Sequence, residues 1–131
     1  MRFMMMVKAT EDYEAGMPPS EALMAAMGKL TSEMMQAGVV LASEGLQPSS
    51  RGARIKYSGG KRTMVDGPFA ETKELIGGYA IVQAKSKEEA IALANRVVDV
   101  HIGAGVAEVE MEIRPLFDAA DFETPTHSRR M

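Results

Sequence analysis

The chain has 131 residues, close to the usual size of one domain, and a formal net charge of −3 from 15 basic and 18 acidic residues. This small excess of acidic residues does not indicate general nucleic-acid binding, and it gives no reason to expect binding to an anionic membrane surface. The absence of cysteine excludes disulfides and thiolate metal sites, and because no stretch approaches the roughly 20 apolar residues that cross a bilayer, we expect a cytoplasmic protein.

The first predicted element is a strand over residues 2–9, which is apolar without alternation. Phe3 and Met5 point to one side of this strand, and Met4 and Met6 point to the other. A strand that is apolar on both faces belongs in the centre of a sheet that is covered on both sides.

A loop and a helix are predicted next. Residues 11–19 hold acids, a glycine and two prolines, which is typical of a loop. The helix covers residues 20–37, because Ser20 offers an N-cap and apolar side chains recur at three- and four-residue spacing. These side chains are Leu23, Met27, Leu30 and Met34. Gly38 stands where a helix ends on a left-handed residue, and a second strand follows over residues 39–46.

The middle of the chain is predicted to form a β-hairpin. Residues 53–58 alternate apolar and polar side chains, and Gly59-Gly60 has the composition of a two-residue turn. Residues 61–65 return as the partner strand, and Asp66-Gly67-Pro68 makes another turn.

The last third of the chain is predicted to hold a strand, a helix and a strand. Residues 76–84 are apolar on both faces, and Ser86 with Glu89 forms a capping box at the start of the helix. Apolar and polar side chains alternate over residues 107–114, which predicts a final strand with one solvent-exposed face. Residues 118–131 are predicted to be a polar C-terminal tail.

This order of elements predicts an α+β fold on the ferredoxin-like βαββαβ plan, with the β-hairpin inserted. In that topology the first and third core strands lie in the middle of the sheet, and these are the two strands that are apolar on both faces. Helices can cover only one face, so a second copy of the chain is the simplest cover for the other. The sequence therefore predicts a homodimer.

A ten-residue run, Val65-Asp66-Gly67-Pro68-Phe69-Ala70-Glu71-Thr72-Lys73-Glu74, resembles the signature of the DGPF group of YCII-related proteins. Gly77-Gly78-Tyr79, Glu44-Gly45-Leu46 and Ile113-Arg114-Pro115 also fit this group, so the resemblance covers residues 1–117. It implies a dimeric α/β barrel of ferredoxin-like subunits. Genes of this group often lie beside those of extracytoplasmic-function sigma factors, which implies a link to transcriptional regulation. Some YCII-related proteins are lyase-like enzymes with a His-Asp pair, but the predicted first helix has no histidine.

Six side chains are candidates for the edge of a cleft. They are Glu44, Arg62, Asp66, Glu71, Lys73 and Tyr79. Asp66 either stabilises the turn by accepting hydrogen bonds from the backbone amides that follow it or acts as a general base. Glu71 is the second candidate acid–base group. Lys73 and Arg62 would attract a small anionic molecule, and either could pair with Glu44. The ligand-binding candidates are therefore Glu44, Arg62, Lys73 and Tyr79.

Two functions are compatible with these residues. One is a non-catalytic, small-molecule-binding or regulatory module, because the sequence has no intact nucleophile–base set. The other is a small lyase, isomerase or hydrolase that needs no cofactor and uses Asp66 or Glu71. A purely structural interaction domain is the third option.

No cofactor or metal is predicted. A metal site formed by His101 and Asp99 is the alternative to the simpler interpretation, in which His101 is a capping or surface residue. Most of the twelve methionines are expected to fill the hydrophobic core, and the alternative is that some of them line an adaptable apolar pocket.

Overall fold

The computed structural model describes residues 1–123, so most of the predicted tail lies outside the described residues. The strands and helices are β1 (Arg2–Lys8), α1 (Glu11–Glu14), α2 (Glu21–Gln36), β2 (Val40–Gly45), β3 (Ala53–Ser58), β4 (Lys61–Asp66), β5 (Ile76–Gln83), α3 (Lys87–Gly103) and β6 (Met111–Pro115). Short 3-10 turns occupy Ser49–Arg51, Thr72–Glu74 and Ala119–Phe122. None of the helices in this part of the chain is long and apolar enough to cross a membrane.

Four strands form one antiparallel sheet in the order β2-β5-β1-β6, an order consistent with the predicted ferredoxin-like plan. The prediction that β1 and β5 are central is confirmed, and their register sets Phe3 opposite Val82 and Met5 opposite Ala80. The remaining two strands, β3 and β4, form a separate two-stranded sheet. The chain is therefore an α+β domain with antiparallel sheets.

Helices α2 and α3 pack on the sheet face that carries Phe3 and Met5. Phe3 and Val82 are the largest fully buried side chains, with 1% and 0% of their surfaces exposed. The helices contribute Leu30, Met34, Ala90, Ala94 and Val97 to the same core. Each large apolar side chain buried here stabilises the fold by about 1.5–3 kcal/mol, so this face of the sheet is the main source of stability.

The opposite face of the sheet carries apolar side chains without a helix layer. Strand alternation places Met4, Met6, Tyr79 and Ile81 on this face. Met6 is buried among its neighbours, whereas the other three are half-buried. Since the core contacts of α2 and α3 are with the first face, these two helices do not cover the second.

The predicted ends of the two long helices are confirmed. Ser20 Oγ accepts a hydrogen bond from the Leu23 N–H at 3.1 Å, and Gly38 has a φ of +74° just beyond α2. At the start of α3, Ser86 Oγ accepts from the Glu89 N–H at 3.1 Å. The Glu89 carboxylate accepts from the Lys85 N–H at 3.0 Å, so the capping box closes one residue earlier than the usual pattern.

Two boundaries differ from the sequence prediction. The predicted loop over residues 11–19 contains the helical turn α1, in which Thr10 Oγ1 accepts from the Tyr13 N–H at 3.1 Å. The final strand begins at Met111 rather than at residue 107. Its ladder partner β1 ends at Lys8, whose N–H donates to the Glu110 carbonyl at 2.9 Å, so the earlier residues have no strand to pair with.

The two ends of the hairpin meet at a close backbone contact. The Gly67 N–H donates to the Gly52 carbonyl at 2.9 Å, and the Gly67–Pro68 peptide is cis. A Cβ atom on Gly67 would lie 1.7 Å from the Ser49 carbonyl oxygen, so only glycine fits at this position.

We expect Gly67→Ala to lower the free energy of unfolding by about 1–3 kcal/mol, because the added methyl group forces the Ser49 backbone to move. Urea denaturation followed by circular dichroism measures the change. Gly52→Ala is the matched control, since its Cβ would lie at an ordinary 3.5 Å from the same carbonyl oxygen. Equal loss in both variants would contradict this explanation.

Candidate functional site

Ser49 ties three segments together at the base of the hairpin. Its backbone N–H donates to Glu14 Oε2 at 2.9 Å, and its hydroxyl donates to Oε1 of the same carboxylate. The hydroxyl also accepts from the Phe69 N–H at 3.0 Å. Because Glu14 binds both the backbone and the side chain of Ser49, this cluster holds α1, the turn after β2 and the segment after β4 in place.

Arg54 makes a second set of contacts at the same base. Its guanidinium carbon lies 3.9 Å from the centre of the Phe69 ring, and its Nη1 lies 3.4 Å from Glu71 Oε1. About half of each charged side chain is exposed, so the ion pair contributes about 0–1 kcal/mol. Glu71 therefore lies against the hairpin in an ion pair with Arg54.

The structure does not bring the six predicted site residues into one cleft. Asp66 ends β4 and lies opposite Ala53, whereas Arg62 lies opposite Tyr57 near the hairpin tip. The two lie four positions apart along the strand, a distance of about 13 Å. Asp66 is exposed and, within residues 1–123, accepts no hydrogen bond from the N–H groups that follow it, so the turn is held by its backbone instead. Lys73 lies in an exposed 3-10 turn.

Glu44 and Tyr79 are the two predicted residues that do meet, as a cross-strand pair between β2 and β5. Glu44 is exposed and Tyr79 is half-buried. In the described part of the chain, Glu44 forms no ion pair with either Arg62 or Lys73. Both members of the pair lie on strands that border a cavity, but alternation places their side chains on the opposite face of the sheet.

This cavity, which we call the helix–sheet cavity, has a volume of about 580 Å³ and lies between α2 and the sheet. Its wall is largely apolar and contains five methionines, which are Met5, Met27, Met34, Met35 and Met111. A few polar residues interrupt the wall, among them Thr31 and Ser43. The volume and the mixed lining are typical of a small-molecule site.

Gly28 in the middle of α2 lines the helix–sheet cavity. A Cβ atom at this position would meet no atom of residues 1–123 within 4 Å. Glycine inside a helix costs about 0.5–1 kcal/mol relative to alanine, so the chain keeps a destabilising residue where a larger one has room. Gly28 is exposed, so it lies at the mouth of the cavity and the space beside it is open to solvent.

The family of the chain follows from its match over residues 1–114 to the family model described as the YCII-related domain. The chain belongs to the YCII-related family. It is also similar to "Uncharacterized protein R00369" of Rhizobium meliloti (strain 1021), with 29% identity over 96 residues. That match covers 73% of this chain and 74% of the relative. The family match spans all the strands except the last residue of β6, together with the helix–sheet cavity.

A second cavity in this YCII-related domain, which we call the end cavity, has a volume of about 460 Å³. It lies between α1, the start of α2 and the end of α3, and Val7, Met27 and Gly78 border both cavities. Tyr13 lines it, and the Tyr13 hydroxyl donates to the Gly77 carbonyl at 2.8 Å. Burial raises the pKa of Tyr13 above its usual range, which keeps this donor protonated.

Sequence reasoning missed Tyr13, Glu14 and Ser49. Glu14 and Ser49 are 35 residues apart, and no spacing rule connects a carboxylate in a loop to a distant serine. Tyr13 belongs to the single helical turn α1, whose only local signal is the Thr10 cap. Among the described residues, no group of three or more acidic or histidine side chains is arranged to hold a metal ion.

We expect Gly28→Ala to raise the free energy of unfolding by about 0.5–1 kcal/mol, because alanine is the better helix former and has room here. Gly38→Ala is the control at the end of the same helix, where a φ of +74° makes a side chain strained, and it should lower stability. Urea denaturation of both variants checks the pair. A loss of stability in Gly28→Ala would mean that the wall has no free space.

Proposed function

We propose that this YCII-related protein is a homodimeric, non-catalytic module that binds a small molecule in the helix–sheet cavity and transmits the binding event as a regulator. The observation that carries the proposal is the cavity itself, with a volume of about 580 Å³ and a largely apolar wall. A ligand that filled this space would add apolar contacts that the empty domain lacks.

The chemistry of the wall favours an uncharged, largely apolar ligand. Methionine side chains are flexible and polarisable, so five of them form a wall that adapts to the shape of a bound molecule. No lysine or arginine is among the described residues of this wall. Arg62 lies on the hairpin and Lys73 lies in the 3-10 turn after it, so neither borders the helix–sheet cavity. Binding of an anion by these two residues therefore stays a prediction for a different part of the surface.

We expect the uncharged dye N-phenyl-1-naphthylamine to bind the wild-type protein with a rise in its fluorescence, which is easily followed because the chain has no tryptophan. Gly28→Leu should weaken this binding by at least about tenfold, because the leucine side chain fills part of the cavity and keeps the dye from burying apolar surface worth about 1.5 kcal/mol or more.

Gly28→Ala is the matched control, since its single methyl group leaves most of the space open, and its dye affinity should stay close to that of the wild type. Equal affinity of the leucine variant and the wild type would refute binding in the helix–sheet cavity.

The exposed hairpin supports the homodimer. Every residue of β3 and β4 is exposed, and one face of the hairpin carries Ile55, Tyr57 and Met64, with 71%, 71% and 67% of their surfaces exposed. A two-stranded hairpin on its own is marginally stable in water, and soluble proteins rarely leave such apolar patches bare. We propose that a second copy covers this face together with the uncovered face of the sheet.

We expect Met64→Asp to raise the dissociation constant of the dimer by at least about tenfold, because it places a charge in the proposed apolar contact. Analytical ultracentrifugation over a range of concentrations measures the constant. Thr63→Asp is the control, since it makes the same change of charge on the opposite face of the hairpin and should leave the dimer intact. Wild-type protein that sediments as a monomer at micromolar concentration would end the homodimer proposal.

Catalysis by Asp66 or Glu71 is the alternative function, and the geometry favours binding over it. Neither residue lines the helix–sheet cavity or the end cavity, and Glu71 is engaged with Arg54. An exposed carboxylate outside a cavity has no means to exclude water or to orient a substrate. Turnover of a small molecule that depends on Asp66 would reverse this preference.

Membership of the DGPF group and a functional link to an extracytoplasmic-function sigma factor complete the proposal. The support for both is the run from Val65 to Glu74. In this group the regulatory role would be exerted through the dimer rather than by direct contact with DNA, which a net charge of −3 does not favour.

A further inference from the structure

His101, near the end of α3, lies in the wall of the end cavity and is half-buried. Its Nδ1 is 2.8 Å from the Val97 carbonyl oxygen. A carbonyl can only accept a hydrogen bond, so Nδ1 carries the hydrogen atom of the neutral ring and Nε2 has a free lone pair. The ring is thereby fixed in one tautomer and one orientation.

Nε2 of His101 is a half-buried acceptor in this wall, and no donor among residues 1–123 binds it. Four other polar side chains of the wall already bind a group of the protein, namely Lys8, Thr10, Tyr13 and Ser20. Asp12 and Glu108 are exposed to solvent. In the described part of the chain, no donor reaches Nε2 of His101.

The rest of the wall is apolar. It includes Met17, Pro18, Pro19, Leu23, Val106 and Val109. A volume of about 460 Å³ with a mostly apolar lining and one fixed polar atom is the usual form of a small-molecule site, in which the apolar wall gives affinity and the polar atom gives orientation.

We propose that the end cavity is a second binding site, for a small uncharged molecule that has an apolar body of one or two rings and a hydroxyl group that donates to Nε2 of His101. A hydroxyl group supplies the donor that the free lone pair lacks. A carboxylate would face that lone pair and the negative charges of Asp12 and Glu108, whereas the charge of Lys8 is already paired with Glu112, so the site selects against anions. This inference does not depend on a ligand in the helix–sheet cavity.

The test titrates 2-naphthol, a two-ring molecule with one hydroxyl group, into the full chain at about pH 8, where a phenolic hydroxyl is uncharged. Naphthol fluorescence gives the affinity. Nitrogen NMR of the histidines gives the site, because the chain has only two histidines and a donor at Nε2 of His101 shifts its signal. His101→Gln identifies which of the two signals belongs to His101.

His101→Phe should bind 2-naphthol about fivefold more weakly, because it keeps a ring of similar size but has no acceptor, and one neutral hydrogen bond contributes about 1 kcal/mol. His101→Gln offers a carbonyl oxygen near the same place and should recover part of the affinity. The ligand 2-methoxynaphthalene, which cannot donate, should bind the wild type and His101→Phe equally.

Three results would overturn the proposal. They are no binding of 2-naphthol to the wild type, an unchanged affinity in His101→Phe, and loss of binding in Gly28→Leu, which would place the molecule in the helix–sheet cavity. Circular dichroism shows whether His101→Phe is folded. If it is not, the wild-type Nε2 signal decides alone, since a signal that does not shift at saturating 2-naphthol refutes the hydrogen bond.

Discussion

β1 and β5 pair along their whole lengths, from Arg2 opposite Gln83 to Lys8 opposite Ile76. Both strands are apolar on both sides, so this one ladder provides the floor under α2 and α3 and also the apolar surface of the opposite face. The helices close only the first face. Both the interior of the subunit and its proposed association with a second copy therefore depend on the same pair of strands.

Three residues in the run from Val65 to Glu74 make contacts that hold the domain together. Gly67 allows two backbone segments to touch, Phe69 donates its N–H to Ser49 and lies under Arg54, and Glu71 pairs with Arg54. A motif can thus be distinctive because its geometry is demanding. The helix–sheet cavity and the end cavity lie elsewhere, on the two sides of Met27.

Local signals were sufficient to predict most of the fold from the sequence. Ser20, Gly38, Ser86 and the Gly59-Gly60 turn each act on neighbouring residues, and all of them behave as predicted. The predicted start of β6 was wrong because the alternation of apolar and polar residues begins before Met111, where β1 no longer provides a pairing partner. The turn α1 was missed because four residues carry too little periodicity to distinguish a helix from a loop.

The candidate site was much harder to predict, because it depends on distances between elements. Glu44 and Tyr79 meet because β2 and β5 are neighbours in the sheet, which the predicted topology contains. Arg62 was grouped with Asp66 because the two are close in sequence, but an extended strand carries them apart. A cavity has no sequence signal of its own, and its best local trace is Gly28, a glycine in an otherwise regular helix.

The bond from the Gly67 N–H to the Gly52 carbonyl closes the hairpin at its base. The segment from Ala53 to Asp66 therefore leaves and re-enters the domain at a single point, as an insertion does. Shortening or exchanging this segment would leave the ends of the surrounding chain already in register. Variation in the hairpin would therefore leave the sheet, the core and both cavities unaltered.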